Sequence, residues 1–177
     1  TQDGTPPAGL NYGTEYTNEE INEALQMGDP LSLVPSTDDM GHGTFLAGIA
    51  AGNTIEEENF SGVAPDSELV VVKLKQAKAY LKELFRIFPE AIAYQENDIM
   101  LAITYLVNVS RRLQRPISIC IGLGTSQGSH DELGMLSDYV SSVATMIGVT
   151  VSIPAGNEGN KSNHFFGIID NNEEFDT

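Results

Sequence analysis

The chain has 177 residues, 41% of them hydrophobic, and its formal net charge at pH 7 is −16. This length allows one domain with a packed core. The strongly acidic balance disfavours nucleic acid, and no apolar run approaches the roughly 18 residues that span a bilayer, so we expect neither nucleic acid nor membrane as a partner. The single cysteine, Cys120, excludes an internal disulfide. Because the sequence starts at Thr1 without a methionine or a signal-peptide pattern, we expect a processed or excised piece.

The basic residues are concentrated in one segment. Eight of the nine Lys and Arg residues, but only four of the 25 acidic residues, lie between Lys73 and Arg115. A positive segment on an acidic body could bind an acidic partner. Charge runs more often contact only water, and a solvated face is the interpretation that we favour.

Residues 1–40 are rich in Pro, Gly, Asn and Asp and predict mostly loop. Within them, Thr17 and Glu20 have the spacing of a capping box, and Ile21, Ala24 and Leu25 form one apolar stripe. The pattern predicts a short surface helix over residues 18–27.

Residues 41–48 place His42 between two glycines and before a run of small and apolar residues. This composition suits a backbone that comes close to another group and an imidazole that faces a cleft, where it could act as a general base. A buried or capping histidine in a glycine-rich turn is the alternative. A helix is expected over residues 43–51.

Three features follow before Pro116. The glutamates at residues 56–58 predict a solvated turn rather than a calcium site, because adjacent carboxylates do not point at one ion. The β-branched run at 68–74 predicts a buried strand. Residues 75–96 look like an insertion with a short helix, and apolar positions at helical spacing predict a longer helix over 98–113.

Two more strands are predicted at 117–122 and 149–153. In the first, Cys120 reads as a small core residue rather than a nucleophile, because an apolar strand gives its thiolate no stabilising charge. The helix between the strands has one apolar face, formed by Leu133, Leu136, Val140, Val143, Ala144 and Ile147. This alternation predicts an α/β fold in which the three strands are adjacent and parallel, with helices on both faces.

Loops at the carboxyl ends of the predicted strands carry the candidate site, as is usual for such sheets. Asn157 lies between two glycines just after the third strand, where its amide could donate a hydrogen bond to a developing oxyanion. An Asn-Gly loop whose amide only caps its own backbone is the alternative. Gly122 and Gly124 flank the end of the second strand.

Four stretches occur in the order, and at a similar spacing, that is found in the subtilisin-like serine proteases (subtilases). They are residues 41–48, the Gly-Val-Ala-Pro turn at 62–65, residues 122–124 and residues 154–159. The resemblance covers about residues 41–160, and the Tyr-Gln-Glu-Asn-Asp stretch at 94–98 is similar to the Csp-like bacterial branch, named for spore-germination proteases. It implies a three-layer subtilisin-like fold, with 1–40 as a loop-rich insertion and 41–177 as the central part of the peptidase domain.

The resemblance also implies roles for individual residues. His42 would be the general base and Asn157 the oxyanion donor. The peptide substrate would be bound by Gly122, Leu123, Gly124, Pro154, Ala155 and Gly156. Gly122 stands where serine is usual and Pro154 where alanine is usual, and Pro154 has no N–H to donate, so the pocket departs from the family pattern.

Two members of the triad have no match. Asp3, Asp29, Asp38 and Asp39 follow no apolar strand, and the Gly-Thr-Ser stretch that ends at Ser126 precedes Asn157 instead of following it. We therefore expect an inactive fragment whose partners are a peptide or protein substrate and the remaining segments of the parent protease. A non-catalytic, peptide-binding relative is the alternative. A nucleotide-binding module is disfavoured because Gly122-x-Gly124 departs from the G-x-G-x-x-G spacing.

No cofactor or metal is expected, because His42, His130 and His164 are far apart and lack paired ligands at zinc spacing. Both functional groups must reach one small reacting centre. We therefore predict that the side chains of His42 and Asn157 face one cleft, roughly 6–10 Å apart.

Overall fold

The computed structural model describes residues 4–125, 128 and 133–161. The α-helices are Asn18–Gln26 (α1), His42–Ala51 (α2), Ala79–Leu84 (α3), Glu96–Leu113 (α4) and Met135–Ala144 (α5). The strands are Ile117–Cys120 (β1) and Val149–Ser152 (β2). Single turns of 3-10 helix lie at Pro30–Ser32 and Glu56–Glu58. All five helices fall close to the stretches that the sequence predicts.

The sheet of the described residues is a parallel pair. β1 pairs with β2 in a register that joins Ile117 to Val149 and Cys120 to Ser152. Helix α5 lies between the two strands in sequence, so β1, α5 and β2 form one βαβ unit. The parallel arrangement predicted for these two strands is confirmed.

The strand predicted at residues 68–74 does not form in the described part of the chain, so this prediction was wrong. Leu74 packs against the core, but Leu69 and Val71 are exposed. No described residue forms a backbone ladder with this run, although the Arg115 guanidinium makes a 2.8 Å ion pair with Glu68. An apolar, β-branched run becomes a strand only where a neighbouring backbone pairs with it, and its own composition cannot supply that neighbour.

The core lies between one face of the sheet and helices α4 and α5. Its most buried members are Ile103 on α4 and Val143 on α5, which are 2% and 1% exposed. Ile119 of β1 joins them, together with Ile99 and Val107. Of the apolar stripe predicted for α4, Ile99, Ile103 and Val107 are buried, Leu106 is partly buried, and Leu113 at the C-terminal end is exposed.

The other face of the described sheet is open. Side chains alternate along a strand, so Ile119 is buried while Ser118 and Cys120 point the other way. Cys120 is exposed, which corrects the prediction that it is a core residue. Among the described residues, α4 and α5 cover the face of this pair of strands that contains Ile119.

The ends of α5 also differ from the prediction. The helix covers Met135–Ala144, so Leu133 and Ile147 lie outside it and are exposed. Gly148 adopts a φ of 80°, which turns the chain into β2 and carries Ile147 away from the helix face. The predicted apolar face holds in the interior of the helix and fails at its two ends.

The N-terminal segment is tied to α4 by polar contacts. Thr17 and Glu20 form the predicted capping box of α1. Glu15 accepts a 2.7 Å hydrogen bond from Arg112 and a 2.9 Å hydrogen bond from the Tyr105 hydroxyl, and Tyr12 donates to Asp98. Arg112 and Tyr105 hold the pKa of Glu15 below its ordinary value, so Glu15 stays ionised at neutral pH. Among the helices that the structure describes, none is long and apolar enough to cross a membrane.

Candidate active site

His42 is the first residue of helix α2 and is exposed, not buried in the core. The residue before it, Gly41, is the N-cap and has a φ of 74°, in the left-handed region that glycine adopts at little cost. A glycine at the N-cap has no side chain that could accept hydrogen bonds from the free N–H groups of the first turn. That role must be filled by another residue.

Asp38, three residues before Gly41, accepts these hydrogen bonds in place of a cap side chain. Its Oδ1 accepts hydrogen bonds from the backbone N–H of Gly41 at 2.9 Å and of Met40 at 3.3 Å. Its Oδ2 accepts from the backbone N–H of Thr44 at 2.9 Å and from the Thr44 hydroxyl at 2.7 Å. These bonds, that of the Thr44 hydroxyl first, lower the pKa of Asp38 to about 2.

The strand-like run at 68–74 holds the same loop from the other side. The Lys73 ammonium donates a hydrogen bond to the backbone carbonyl of Thr37, the neighbour of Asp38. The Thr37 hydroxyl donates in turn to the carboxylate of Asp39 at 3.0 Å. The loop that precedes α2 is therefore connected to residues more than thirty positions away in sequence.

Gly122 brings the end of β1 beside His42. A Cβ built on Gly122 would lie 3.7 Å from Cε1 of His42, an ordinary contact distance, and 2.2 Å from Cδ1 of Leu46, a severe overlap. Leu46 follows His42 by four residues, so both side chains lie on one face of α2. The missing side chain at Gly122 is what lets this face approach the strand end.

Residues 122–124 leave β1 with their backbone unpaired. Ile121 still bonds to β2, through a 3.0 Å hydrogen bond from its N–H to the carbonyl of Ser152. Among the described residues, no backbone partner is present for Gly122, Leu123 or Gly124. Leu123 packs against the core and fixes the segment, while Gly124 is exposed.

The loop after β2 begins at the same end of the sheet. Since Cys120 pairs with Ser152, residues 122 and 154 leave the sheet side by side, and neighbouring strands are about 4.8 Å apart. Pro154, Ala155, Gly156 and Asn157 are all exposed. Gly156 has a φ of 85°, which confirms that the loop turns sharply there.

The contacts of Asn157 favour neither of the roles predicted for its amide. Its backbone N–H donates to the Glu158 carboxylate at 3.2 Å. Within the described ranges, its side-chain amide has no hydrogen-bond partner, in the loop or elsewhere. The separation predicted between His42 and Asn157 stays a prediction.

The structure thus places His42 beside Gly122, whereas the other residues considered for the site are not shown to contact His42. Asp38 accepts hydrogen bonds from the loop before α2 and from Thr44 in its first turn, and Asp39 accepts one from Thr37. Among the described residues, no hydrogen bond joins Asp38 to the imidazole. Ser126, His130 and His164 lie outside the described residues. Among the residues that are described, no group of three or more His, Cys, Asp or Glu could hold a metal ion.

Sequence reasoning missed two residues of this site, Asp38 and Leu46. Asp38 was considered only as a triad aspartate and rejected because no strand precedes it. Its actual signal is local: a carboxylate a few residues before a helix whose cap is glycine. Leu46 gave a weaker signal, since its four-residue spacing from His42 indicates a shared face and does not indicate a contact with Gly122.

Comparison with known proteins places this chain in a family. A family model described as the subtilase family, Peptidase_S8, matches residues 11–167. The structure is similar to that of the CspB protease of Clostridium perfringens, with a TM-score of 0.70 and 33% sequence identity. The alignment covers 82% of this chain and 29% of the CspB chain. A comparison with curated protein sequences finds no match. The likeness confirms the predicted subtilisin-like α/β fold and the resemblance to the Csp-like branch, and the chain belongs to the subtilase family.

Proposed function

We propose that this chain supplies one half of the active site of a serine endopeptidase, in which His42 is the general base and Asn157 the oxyanion donor. Membership of the subtilase family supports serine-protease chemistry in general. The observation that carries the finer proposal is the close approach of the His42 ring to the end of β1, where a Cβ added to Gly122 would lie 3.7 Å from Cε1. The imidazole lies beside this strand end, and among the described residues neither the ring nor the backbone of residues 122–124 has a hydrogen-bond partner.

The peptide would pair with the backbone of residues 122–124 as an added strand. Such pairing would use N–H and C=O groups that have no partner among the described residues, and backbone pairing gives affinity with little demand on sequence. Pro154, Ala155 and Gly156 would form the opposite wall. Pro154 contributes no N–H, so its wall binds the substrate through shape and through carbonyl groups.

In the reaction, a serine hydroxyl attacks the carbonyl carbon of the scissile bond while the Nε2 of His42 takes its proton. The oxyanion that forms would accept a hydrogen bond from the side-chain amide of Asn157. His42 then returns the proton to the leaving amine. The serine and the aspartate that orients the imidazole would come from other segments of the parent protein, consistent with the 29% coverage of CspB.

Two further statements belong to the same proposal. We propose that residues 1–40 are a loop-rich insertion and that 41–177 are the central part of the peptidase domain. The 177-residue chain alone would not hydrolyse peptides, because a base and an oxyanion donor without a nucleophile have no group to activate.

The test compares variants of the parent protein that carries this chain. His42→Ala should abolish hydrolysis of an unstructured protein substrate and abolish labelling by a fluorophosphonate probe. Asn157→Ala should reduce kcat by about 100- to 1,000-fold, the size of loss known for the corresponding asparagine of subtilisin. Asn160→Ala, the same change three residues further along the loop at an exposed position, serves as the control and should retain kcat.

A non-catalytic, peptide-binding relative is the competing function. It predicts that the parent protein binds peptides with equal affinity in the wild type and in His42→Ala, and cleaves none in either form. Full peptidase activity in His42→Ala would refute the role of this histidine as the base.

A further inference from the structure

The loop before α2 contains a carboxylate that the catalytic scheme leaves without a role. Asp38 is exposed, yet it accepts four hydrogen bonds from three residues. Exposed carboxylates ordinarily bind water and gain little from fixed partners. A carboxylate with its acceptor sites occupied in this way has a defined orientation, and the question is what that orientation holds in place.

The hydrogen bonds of Asp38 lie on both sides of His42 in the chain. Gly41 precedes His42 and donates to Oδ1, while Thr44 follows it in the same helical turn and donates to Oδ2 through two groups. The backbone of His42 is therefore held from its N-terminal and its C-terminal side by one group. Because the first N–H groups of a helix have no partners within the helix, this carboxylate replaces the missing cap of Gly41.

The side chain of His42 has a second constraint on the same face of α2. Leu46, one turn later, lies against the end of β1 at Gly122. With the backbone fixed by Asp38 and the helix face fixed by Leu46, the direction of the imidazole is set by residues that do not touch the reacting atoms. Asp38 thus constrains the ring through the backbone of His42, and Leu46 constrains it through the shared helix face.

We propose that Asp38 is a positioning residue for His42: its carboxylate fixes the first turn of α2 so that the imidazole faces the substrate strand at Gly122. The inference rests on the proposed role of His42 as the base and adds a residue to that machinery. An ionised carboxylate suits the task because its two oxygens accept several hydrogen bonds at once, next to the positive end of the helix dipole. An asparagine at position 38 would replace one of the two oxygens with an NH2 group, which cannot accept hydrogen bonds from these donors.

The first test compares Asp38→Asn with Asp39→Asn in the parent protein. The two positions are adjacent and exposed, but among the described residues Asp39 accepts a hydrogen bond from the Thr37 hydroxyl and none from α2. Asp38→Asn should lower kcat by about 10- to 100-fold with KM nearly unchanged, since a misplaced catalytic group slows the chemical step more than it weakens substrate binding. Asp39→Asn should keep kcat within about twofold of the wild type.

The second test reads the imidazole directly and does not need turnover. The chain has three histidines, so histidine labelled with carbon-13 gives a short spectrum, in which the Cε1–Hε1 signal of His42 is identified by its loss in His42→Gln. Asp38→Asn should shift or broaden that signal, and Asp39→Asn should leave it in place. If the parent protein proved inactive, the proposed peptidase function would fail while this spectrum would still decide the role of Asp38.

Variants at Thr44 keep the proposal testable if Asp38→Asn does not fold. Thr44→Val removes only the hydroxyl that donates to Oδ2, and Thr44→Ser retains it. Thr44→Val should lower kcat and move the His42 signal, and Thr44→Ser should restore both. The proposal is overturned if Asp38→Asn and Thr44→Val leave kcat and the His42 signal at wild-type values, or if they reduce stability to urea without changing either.

Discussion

Replacing Gly122 with alanine tests whether the end of β1 and the His42 face of α2 meet as closely as the structure indicates. The added Cβ would lie 2.2 Å from Cδ1 of Leu46, whereas ordinary contacts begin at 3.4 Å. The same Cβ would lie 3.7 Å from both Cγ of Leu46 and Cε1 of His42, which requires no movement. The conflict is therefore confined to one methyl group at the end of a flexible side chain.

The size of the effect follows from how Leu46 can respond. Turning Cδ1 away forces the side chain off its preferred rotamer, at a cost of about 0.5–1.5 kcal/mol, and overpacking raises such costs to about 1–3 kcal/mol. We expect Gly122→Ala to lower the free energy of unfolding by roughly 1–2 kcal/mol. Gly124→Ala is the matched control, because a Cβ there meets nothing within 4 Å and its φ needs no glycine. It also measures the small gain, about 0.4–1 kcal/mol, that alanine makes by restricting the unfolded chain.

Urea unfolding followed by circular dichroism measures the effect in the parent protein, with the m value checked for constancy. Leu46→Ala removes the obstructing methyl group, so the double variant should be about 1 kcal/mol more stable than the sum of the two single changes predicts. Equal stability of Gly122→Ala and Gly124→Ala would falsify the close approach. The close approach would also be refuted if the changes in unfolding free energy of Gly122→Ala and Leu46→Ala simply added in the double variant.

Two further predictions concern the core and the charge of Asp38. Ile103→Ala, at a position that is 2% exposed, should cost about 2–5 kcal/mol in urea unfolding, whereas Ile147→Ala, at a fully exposed position, should stay within about 0.5 kcal/mol of the wild type; similar costs would contradict the described core. Hydrogen bonding lowers the pKa of Asp38 from 3.8 to about 2, so the stability that this carboxylate contributes is complete above its unfolded pKa and is lost as the pH falls towards 2. The difference in urea midpoint between the wild type and Asp38→Ala should therefore be constant above about pH 5 and should narrow below pH 4, and a difference that is independent of pH from 2 to 6 would refute the assignment.

Local patterns in the sequence predicted most of the helices correctly. The capping box at Thr17 and Glu20 and the apolar stripe of α4 depend on residues three or four positions apart, and such residues are neighbours whatever the rest of the fold does. The pairing of β1 with β2 was also predictable, because a parallel pair joined by one helix is the simplest arrangement of strand, helix and strand.

The errors fall where a residue's environment depends on distant parts of the chain. The run at 68–74 has the composition of a strand, but strand formation needs a paired backbone, which the described residues do not provide. Cys120 has apolar neighbours in sequence, yet the alternation of β1 places it on the face opposite to Ile119. In both cases the apolar composition suggested burial, but what packs or pairs with these residues is decided by other parts of the chain.

The same distinction separates the two halves of the candidate site. The hydrogen bonds from Asp38 that hold the backbone of His42 lie within residues 38–44, so this half depends largely on short-range contacts, with one longer-range bond from Lys73 to the loop at Thr37. Asn157 has only a backbone contact with its neighbour Glu158, and the direction of its amide is not set by the described residues. An oxyanion donor acts only when it is aimed before the reaction, so the role proposed for Asn157 requires a partner that orients its amide. In the proposed site, the imidazole of His42 would be oriented mainly by residues near it in sequence, and the amide of Asn157 by residues far from it in sequence or by the peptide.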